Sequence, residues 1–239
     1  MTTEKQKYII VSIKTILFPR KQSTRKEFYM NILIIFDHPY GSGASENILH
    51  NRSYSAALLA ATIRGLRSSG HRIDLIDLHK DGFNPVMSAS DLASWRTKEV
   101  IDPLIADYQQ RLLEADHLIF IFPIWWEGMP AMMKGFLDKV FAKGIVYSEP
   151  KPGRLFKCLL PRLKGASLLT VMATPTYIYR WLFGNPITKM MFRGTFRKMG
   201  INSLKWYNYS GMEKRTLEQR QLYLMETEKL FAKRWNTTY

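Results

Sequence analysis

The sequence predicts an α/β domain, a doubly wound parallel sheet of five strands with helices on both faces, on three observations. The run Leu118 to Phe122 is unbroken in apolar residues, and Met30 begins Met-Asn-Ile-Leu-Ile-Ile-Phe-Asp-His-Pro, which reads as an opening buried strand; central parallel strands covered on both faces read this way, whereas a strand wet on one side alternates. From Met30 onward short apolar runs alternate with stretches of helical periodicity, the order that builds a parallel sheet through crossover helices. The chain has 239 residues and 46% hydrophobic content, enough for one domain with a sizeable core.

The elements follow in chain order. Met30 opens the first strand, so residues 1–29 read as a basic N-terminal extension, whether a surface helix, a membrane-surface anchor or a non-native start, and residues 30–239 as the domain, with membrane-surface association open to the basic segments. Within the extension the apolar run Tyr8 to Phe18 is interrupted by Lys14 and falls short of the roughly 20 residues a bilayer span needs. The first helix is expected over Ser53 to Ser68, with Leu59, Ile63 and Leu66 on one side and Gly70 as terminator. Strand two is Arg72 to Leu78, a helix spans Ile101 to Glu114, and strand three ends where Pro123, lacking an N–H, stops the ladder. A helix over Ala131 to Ala142 faces the core with Met132, Met133, Phe136, Leu137, Val140 and Phe141. Ala166 to Met172 is strand four, Pro186 enters the first turn of a helix to Arg197, Asn202 to Tyr209 is strand five, and Met212 to Trp235 is a closing helix.

Charge is uneven. The net +15 divides as +5 over residues 1–29, −3 over 30–149 and +13 over 150–239, so the middle of the chain is near neutral. Basic surfaces attract nucleic acid or anionic lipid without specificity, but no helix-turn-helix, zinc-finger spacing or aromatic RNA-binding signature accompanies the charge, and nucleic acid is not an expected partner. The single cysteine, Cys158, allows no internal disulfide, in keeping with a reducing cytoplasm. Gly41 and Gly43 are not continued into Gly-x-Gly-x-x-Gly, no Walker loop and no Gly-x-Ser-x-Gly elbow occur, and the five histidines lack metal-ligand spacing.

Chemistry is expected on three loops at the carboxyl ends of the strands, where ligands bind in open α/β sheets. After strand one, Asp37-His38-Pro39-Tyr40 and a polar insert lead to Ser53-Tyr54-Ser55 at a helix start. Free N–H groups, the positive helix end and two hydroxyls make an anion cradle there; the same Ser53 also reads as a simple helix cap. After strand three, Pro123-Ile124-Trp125-Trp126-Glu127-Gly128 offers an aromatic bend beside which a flat ring can lie, although tryptophans that merely cover the core would give the same letters. After strand four, the loop Ala173 to Trp181 brings Thr174, Pro175, Tyr177 and Tyr179 to the same edge, with Tyr147 placed to close the pocket.

The segment Ala115 to Phe141, with its strand, Pro-x-x-Trp-x-Gly-x-Pro-Ala loop and Lys-Gly helix, resembles the flavodoxin-like NAD(P)H dehydrogenase (quinone) family, and the likeness extends over about Met30 to Tyr209. The resemblance implies a flavodoxin-like fold, a bound FMN or FAD, and hydride transfer from NAD(P)H through the flavin to a quinone-like acceptor in one shared pocket. It implies that His38, Ser53, Tyr54 and Ser55 hold the flavin phosphate, that Pro123, Ile124, Trp125, Trp126 and Glu127 meet the isoalloxazine edge, and that Thr174 and Pro175 face its pyrimidine side. Tyr147 as an aromatic lid and Tyr177 on the third loop are the catalytic candidates; no metal is expected. It further implies a homodimer whose partner completes the pocket. Four departures stand out: the insert Tyr40 to Asn51, Ser55 where Asn is common, no Thr-Thr-Gly-Gly nest in the third loop, and no histidine after Tyr177 or Tyr179 to make the Tyr/His pair that assists hydride transfer in some relatives. Alternatives of the same ancestry are a flavin-binding regulatory subunit of a membrane transporter, docked through basic segments, and an azo- or nitroreductase.

Overall fold

The structure is a computed structural model, and it describes residues 29–97, 102–151 and 156–234. The N-terminal extension, apart from Tyr29, and Trp235 at the expected end of the closing helix lie outside these residues. Five parallel strands form the sheet: β1 (Asn31–Phe36), β2 (Arg72–Asp77), β3 (His117–Pro123), β6 (Gly165–Met172) and β7 (Ser203–Ser210), in the order β2-β1-β3-β6-β7. The chain steps outward from β1 to β2 and then returns past β1 to β3, so the topological switch lies between β1 and β3. A separate two-stranded hairpin pairs β4 (Tyr147–Ser148) with β5 (Lys157–Cys158).

The period of two along each strand divides the core into two layers. Ile32, Ile34 and Phe36 of β1, with Ile119 and Ile121 of β3, pack with Ala56, Leu59 and Leu66 of α1 (Tyr54–Ser68) and Phe231 of α7 (Leu217–Arg234). Leu33, Ile35, Leu118, Phe120 and Phe122 point the other way, onto Ile105, Tyr108 and Leu112 of α3 (Pro103–Glu114) and Met133, Phe136 and Val140 of α4 (Ala131–Val140). All seven residues of β3 are buried, which is why its sequence does not alternate.

Local signals set the boundaries. Ser53 caps α1, its Oγ accepting from Ala56 N at 3.2 Å, and Gly70 at φ +76° follows its end. Asp102 caps α3 by accepting from Leu104 N at 2.9 Å, with Pro103 in the first turn. Thr216 and Gln219 form a reciprocal capping box, 3.3 and 3.2 Å, and this places the start of α7 at Leu217.

The same chemistry explains where the sequence expectations need correction. Pro123 does not stop the ladder: it is the last residue of β3, in register with Val171, and Ile124 N still donates to Val171 O at 2.8 Å. The loop expected over Ala173 to Trp181 contains a helix, α5 (Thr176–Trp181), because Pro175 fixes an extended entry. The helix expected from Pro186 to Arg197 is α-helical only as α6 (Pro186–Thr188); it widens into a π-helical turn, Lys189–Phe196, where Thr195 Oγ1 donates to Met190 O at 3.0 Å, and tightens into a 3-10 turn, Arg197–Met199. The closing helix is broken after a 3-10 turn, Met212–Lys214, that follows Gly211 at φ +65°. One further helix, α2 (Ala89–Thr97), has no counterpart in the sequence reading.

Candidate functional site

A cleft of about 560 Å³ opens at the carboxyl ends of β3 and β6, in the size range of small-molecule and cofactor sites. Five segments wall it: the first helical turn of α1 with Arg52, Ser53, Tyr54 and Ala57; Pro123, Ile124 and Trp125 after β3; Val171, Met172 and Ala173 at the end of β6; Met212, Glu213, Leu217, Arg220, Gln221 and Leu224 from the C-terminal segment; and Ser45, Glu46 and Asn47 from the insert that precedes α1.

The α1 end is suited to an anion. Ala56 N and Ala57 N are taken by Ser53 Oγ and Ser53 O, while the amides of Tyr54 and Ser55, one step earlier in the turn, have no intrahelical carbonyl to reach. The dipole adds positive potential at this point. Facing it, Arg220 donates from Nη2 to Glu213 O at 3.1 Å, but its Nε is buried without a partner. A buried guanidinium N–H with no acceptor is costly, and an anionic group in the cleft would relieve it. Tyr54 ties the two walls together, its hydroxyl donating to Arg220 O at 3.1 Å, and burial pushes that phenol above its ordinary range.

His38 is held beside this region rather than in the cleft wall. Its Nδ1 accepts from Tyr40 N at 3.2 Å, which assigns the proton of the neutral ring to Nε2. Burial, then the charge of His79, lowers its pKa and favours the neutral ring. The preceding Asp37 is fully buried, accepting from Met133 N at 2.8 Å and meeting His79 Nε2 at 3.0 Å. Burial raises its pKa against the opposing pull of His79. The carboxylate thus fastens the end of β1 to the start of α4 and fixes the direction in which both loops leave.

The aromatic bend is a tight two-residue turn. Trp125 and Gly128 exchange both backbone hydrogen bonds at 3.0 Å, with Trp126 at φ +50° and Glu127 at φ +61°. Two L-residues in left-handed backbone are strained, and α5 with its flanks holds them there. Tyr179 donates to Glu127 O at 2.9 Å and accepts from Ile187 N at 3.0 Å, while Thr174 Oγ1 donates to Glu127 Oε1 at 2.8 Å. Burial pushes the Tyr179 phenol up to about 12, so it remains a donor. The turn leaves the Trp126 indole fully exposed and Trp125 half-exposed, with Ile124 buried beneath.

Of the sequence-predicted site residues, Ser53, Tyr54, Pro123, Ile124 and Trp125 meet in the cleft wall. His38 and Ser55 lie outside it, Ser55 buried on α1. Trp126, Glu127, Thr174 and Pro175 belong to the turn and its clamp, not to the wall. Tyr177 is exposed on α5, and Tyr147 sits in the small hairpin with its ring stacked on Phe156, centroids 4.5 Å apart and planes 17° apart. Sequence reasoning missed Arg52, Arg220 and the whole C-terminal wall. The signal was present: the Thr216-x-x-Gln219 capping box followed by Leu217, Arg220, Gln221 and Leu224 at helical spacing marks one helix face.

With this geometry described, comparison with known proteins places the chain. Residues 30–230 match the model of the family described as having a flavodoxin-like fold, and the chain belongs to that family. It is 37% identical over 75 residues to the protein named uncharacterized NAD(P)H oxidoreductase YcaK of Escherichia coli (strain K12), covering 31% of this chain and 38% of that one. It is 30% identical over 112 residues to NAD(P)H dehydrogenase [quinone] 1 of Cavia porcellus, covering 40% and 41%. The matches therefore span about two-fifths of the length of these relatives. The crystal structure of Smu.1420 from Streptococcus mutans UA159 superposes with a TM-score of 0.70 at 28% identity, covering 85% of this chain and 99% of that one. Among the described residues no helix is long and apolar enough to cross a membrane, and no cluster of His, Cys, Asp or Glu could hold a metal ion.

Proposed function

We propose that this protein is a flavin-dependent NAD(P)H oxidoreductase of the NAD(P)H dehydrogenase (quinone) type, acting as a cytoplasmic homodimer on a quinone-like acceptor. The observation that carries the reading is the cleft itself: the start of α1 and the unpartnered Arg220 Nε at one side, the turn after β3 at the other. Anion-binding groups and a flat apolar bench at opposite ends match the two halves of a flavin nucleotide. FMN or FAD, when bound, supplies the two-electron chemistry, taking hydride from a nicotinamide and returning it to the acceptor.

The residues of this chain bind and orient. The amides of Tyr54 and Ser55, with Ser53 and Arg220, hold phosphate. His38 offers Nε2–H to the same group. Pro123, Ile124 and Trp125 support the ring, and Trp126 with Tyr177 borders the space that donor and acceptor share. Glu127, Thr174 and Tyr179 keep the turn in its strained shape, so that its backbone does not reorganise when substrate enters. Tyr147 is the candidate lid. The names of the E. coli and guinea-pig relatives favour this chemistry over flavodoxin-like electron carriage. The test is steady-state oxidation of NADH and NADPH with a quinone by the flavin-loaded protein. Ping-pong kinetics are expected, and bound flavin without turnover toward any quinone, azo or nitro acceptor would reject the enzyme reading.

A further inference from the structure

From Pro150 to Met212 the sequence contains eleven Lys or Arg and not one Asp or Glu. The middle of this stretch, α5 and the turn after it, also presents an apolar surface. Tyr177, Trp181, Leu182 and Phe183 are 67, 87, 75 and 47% exposed, and each would gain by burial. Cations flank them along the chain. Lys189 Nζ lies 2.9 Å from where a Cβ on Gly184 would stand, directly beside the patch. Arg180, Arg193, Arg197 and Lys198 are exposed on the same helical passage. None of these five forms an ion pair among the described residues; Arg180 and Lys198 instead lie over the rings of Trp206, at 5.2 Å, and Phe156, at 4.0 Å.

We propose that this face docks on an anionic bilayer surface, with Trp181, Leu182 and Phe183 at the headgroup boundary and Lys189 and Arg193 against lipid phosphates. An aromatic-aliphatic tip flanked by unpaired cations is the chemistry of interfacial binding, in which buried apolar area and attraction to anionic headgroups add. Charge decides against a second copy of the chain on the same patch. A two-fold contact is self-complementary, so it would press an acid-free basic face against itself. The docking stands independently of the flavin reading. Joined to it, docking has a consequence: Tyr179 of the same helix clamps the turn after β3, so the candidate site would face the layer in which apolar quinones dissolve.

The test uses the full chain and sedimentation with vesicles of phosphatidylcholine, with and without phosphatidylglycerol. Binding is expected only to the anionic vesicles, falling at high salt as screening shortens. Each cation near such a surface is worth about fivefold in partitioning, so Lys189→Glu with Arg193→Glu should lower it at least tenfold. Trp181→Ser with Leu182→Ser should weaken it to a similar extent while leaving every charge in place, and all four side chains are exposed enough for the variants to fold. Equal binding to neutral vesicles, absence of binding, or variants that bind like the parent each overturn the proposal. So does a change in sedimentation coefficient on substituting the patch, which would make it an interface between copies.

Discussion

Replacing Gly65 with Ala tests how the fourth wall of the cleft is held. Gly65 lies on α1 where α7 crosses, and a Cβ there would stand 2.3 Å from Glu228 O, 3.0 Å from Phe231 Cβ and 3.2 Å from Ala232 N. Ordinary contact begins at about 3.4 Å, and the nearest obstacle is backbone, which cannot rotate away. Helix α7 must therefore move as a body. Overpacking of this kind costs about 1–3 kcal/mol, offset by about 1 kcal/mol because alanine is the better helix former. An approach of 2.3 Å to backbone belongs to the upper half of that range, so the net loss is about 1–2 kcal/mol, a fall in Tm of roughly 2–8 °C at 2–4 °C per kcal/mol for a chain of this size. Because α7 carries Leu217, Arg220 and Gln221 into the cleft, flavin affinity should fall with it. Calorimetry of the apo-protein and a fluorescence titration with FMN measure the two effects. A Tm that rises, as at an unconstrained helical glycine, would refute the packing argument.

Three other outcomes follow from the site. Trp126→Gly should raise Tm by roughly 2–8 °C, since the indole is exposed and left-handed backbone costs an L-residue about 1–2 kcal/mol, yet lower turnover; a simple loss of stability would mean the side chain is packed. Arg220→Gln should weaken flavin binding by roughly 10- to 150-fold, the worth of a charge-assisted hydrogen bond of about 1.5–3 kcal/mol, with Tm nearly constant; unchanged affinity in titration would remove Arg220 from the site. Burial lowers the pKa of both His38 and His71 in the folded chain, so the unfolded chain takes up protons first as pH falls. Stability is fully present above the ordinary histidine pKa of 6.5 and should decline on acidification below it. Urea midpoints between pH 7.5 and pH 5, compared with those of a His38→Asn, His71→Asn double variant, should show a flatter slope in the variant; parallel slopes would assign the dependence elsewhere.

The strands were legible because each is a physical statement made locally. An apolar run flanked by helical periodicity can be a buried parallel strand and little else, and β1, β3 and β6 appear within a residue or so of their expected limits. The start of α1 was equally legible from Ser53, because a cap acts on its own first turn. Part of the cleft followed from the carboxyl-end rule applied to those strands. What stayed hidden depends on distant partners. Whether Tyr177 or Tyr179 points inward is settled by the Glu127 carbonyl and the Ile187 amide, and nothing in Tyr-Ile-Tyr distinguishes them. The buried Asp37 looks like an ordinary polar loop residue until His79 and Met133 N are brought to it. Arg220 reaches the cleft only because the closing helix returns across α1, a packing relation that no local period encodes. The π-helical turn at Lys189–Phe196 likewise keeps the composition of an α-helix.

The central claim is that one flavin sits between the start of α1 and the turn after β3. Gel filtration of the protein after incubation with FMN or FAD, followed by the visible spectrum of the protein peak, tests it most directly. One flavin per chain, with its fluorescence quenched by the tryptophans of the turn and its retention lost in Ser53→Asp, is the predicted result. A colourless peak with both nucleotides, or a flavin retained equally by Ser53→Asp, would contradict the account.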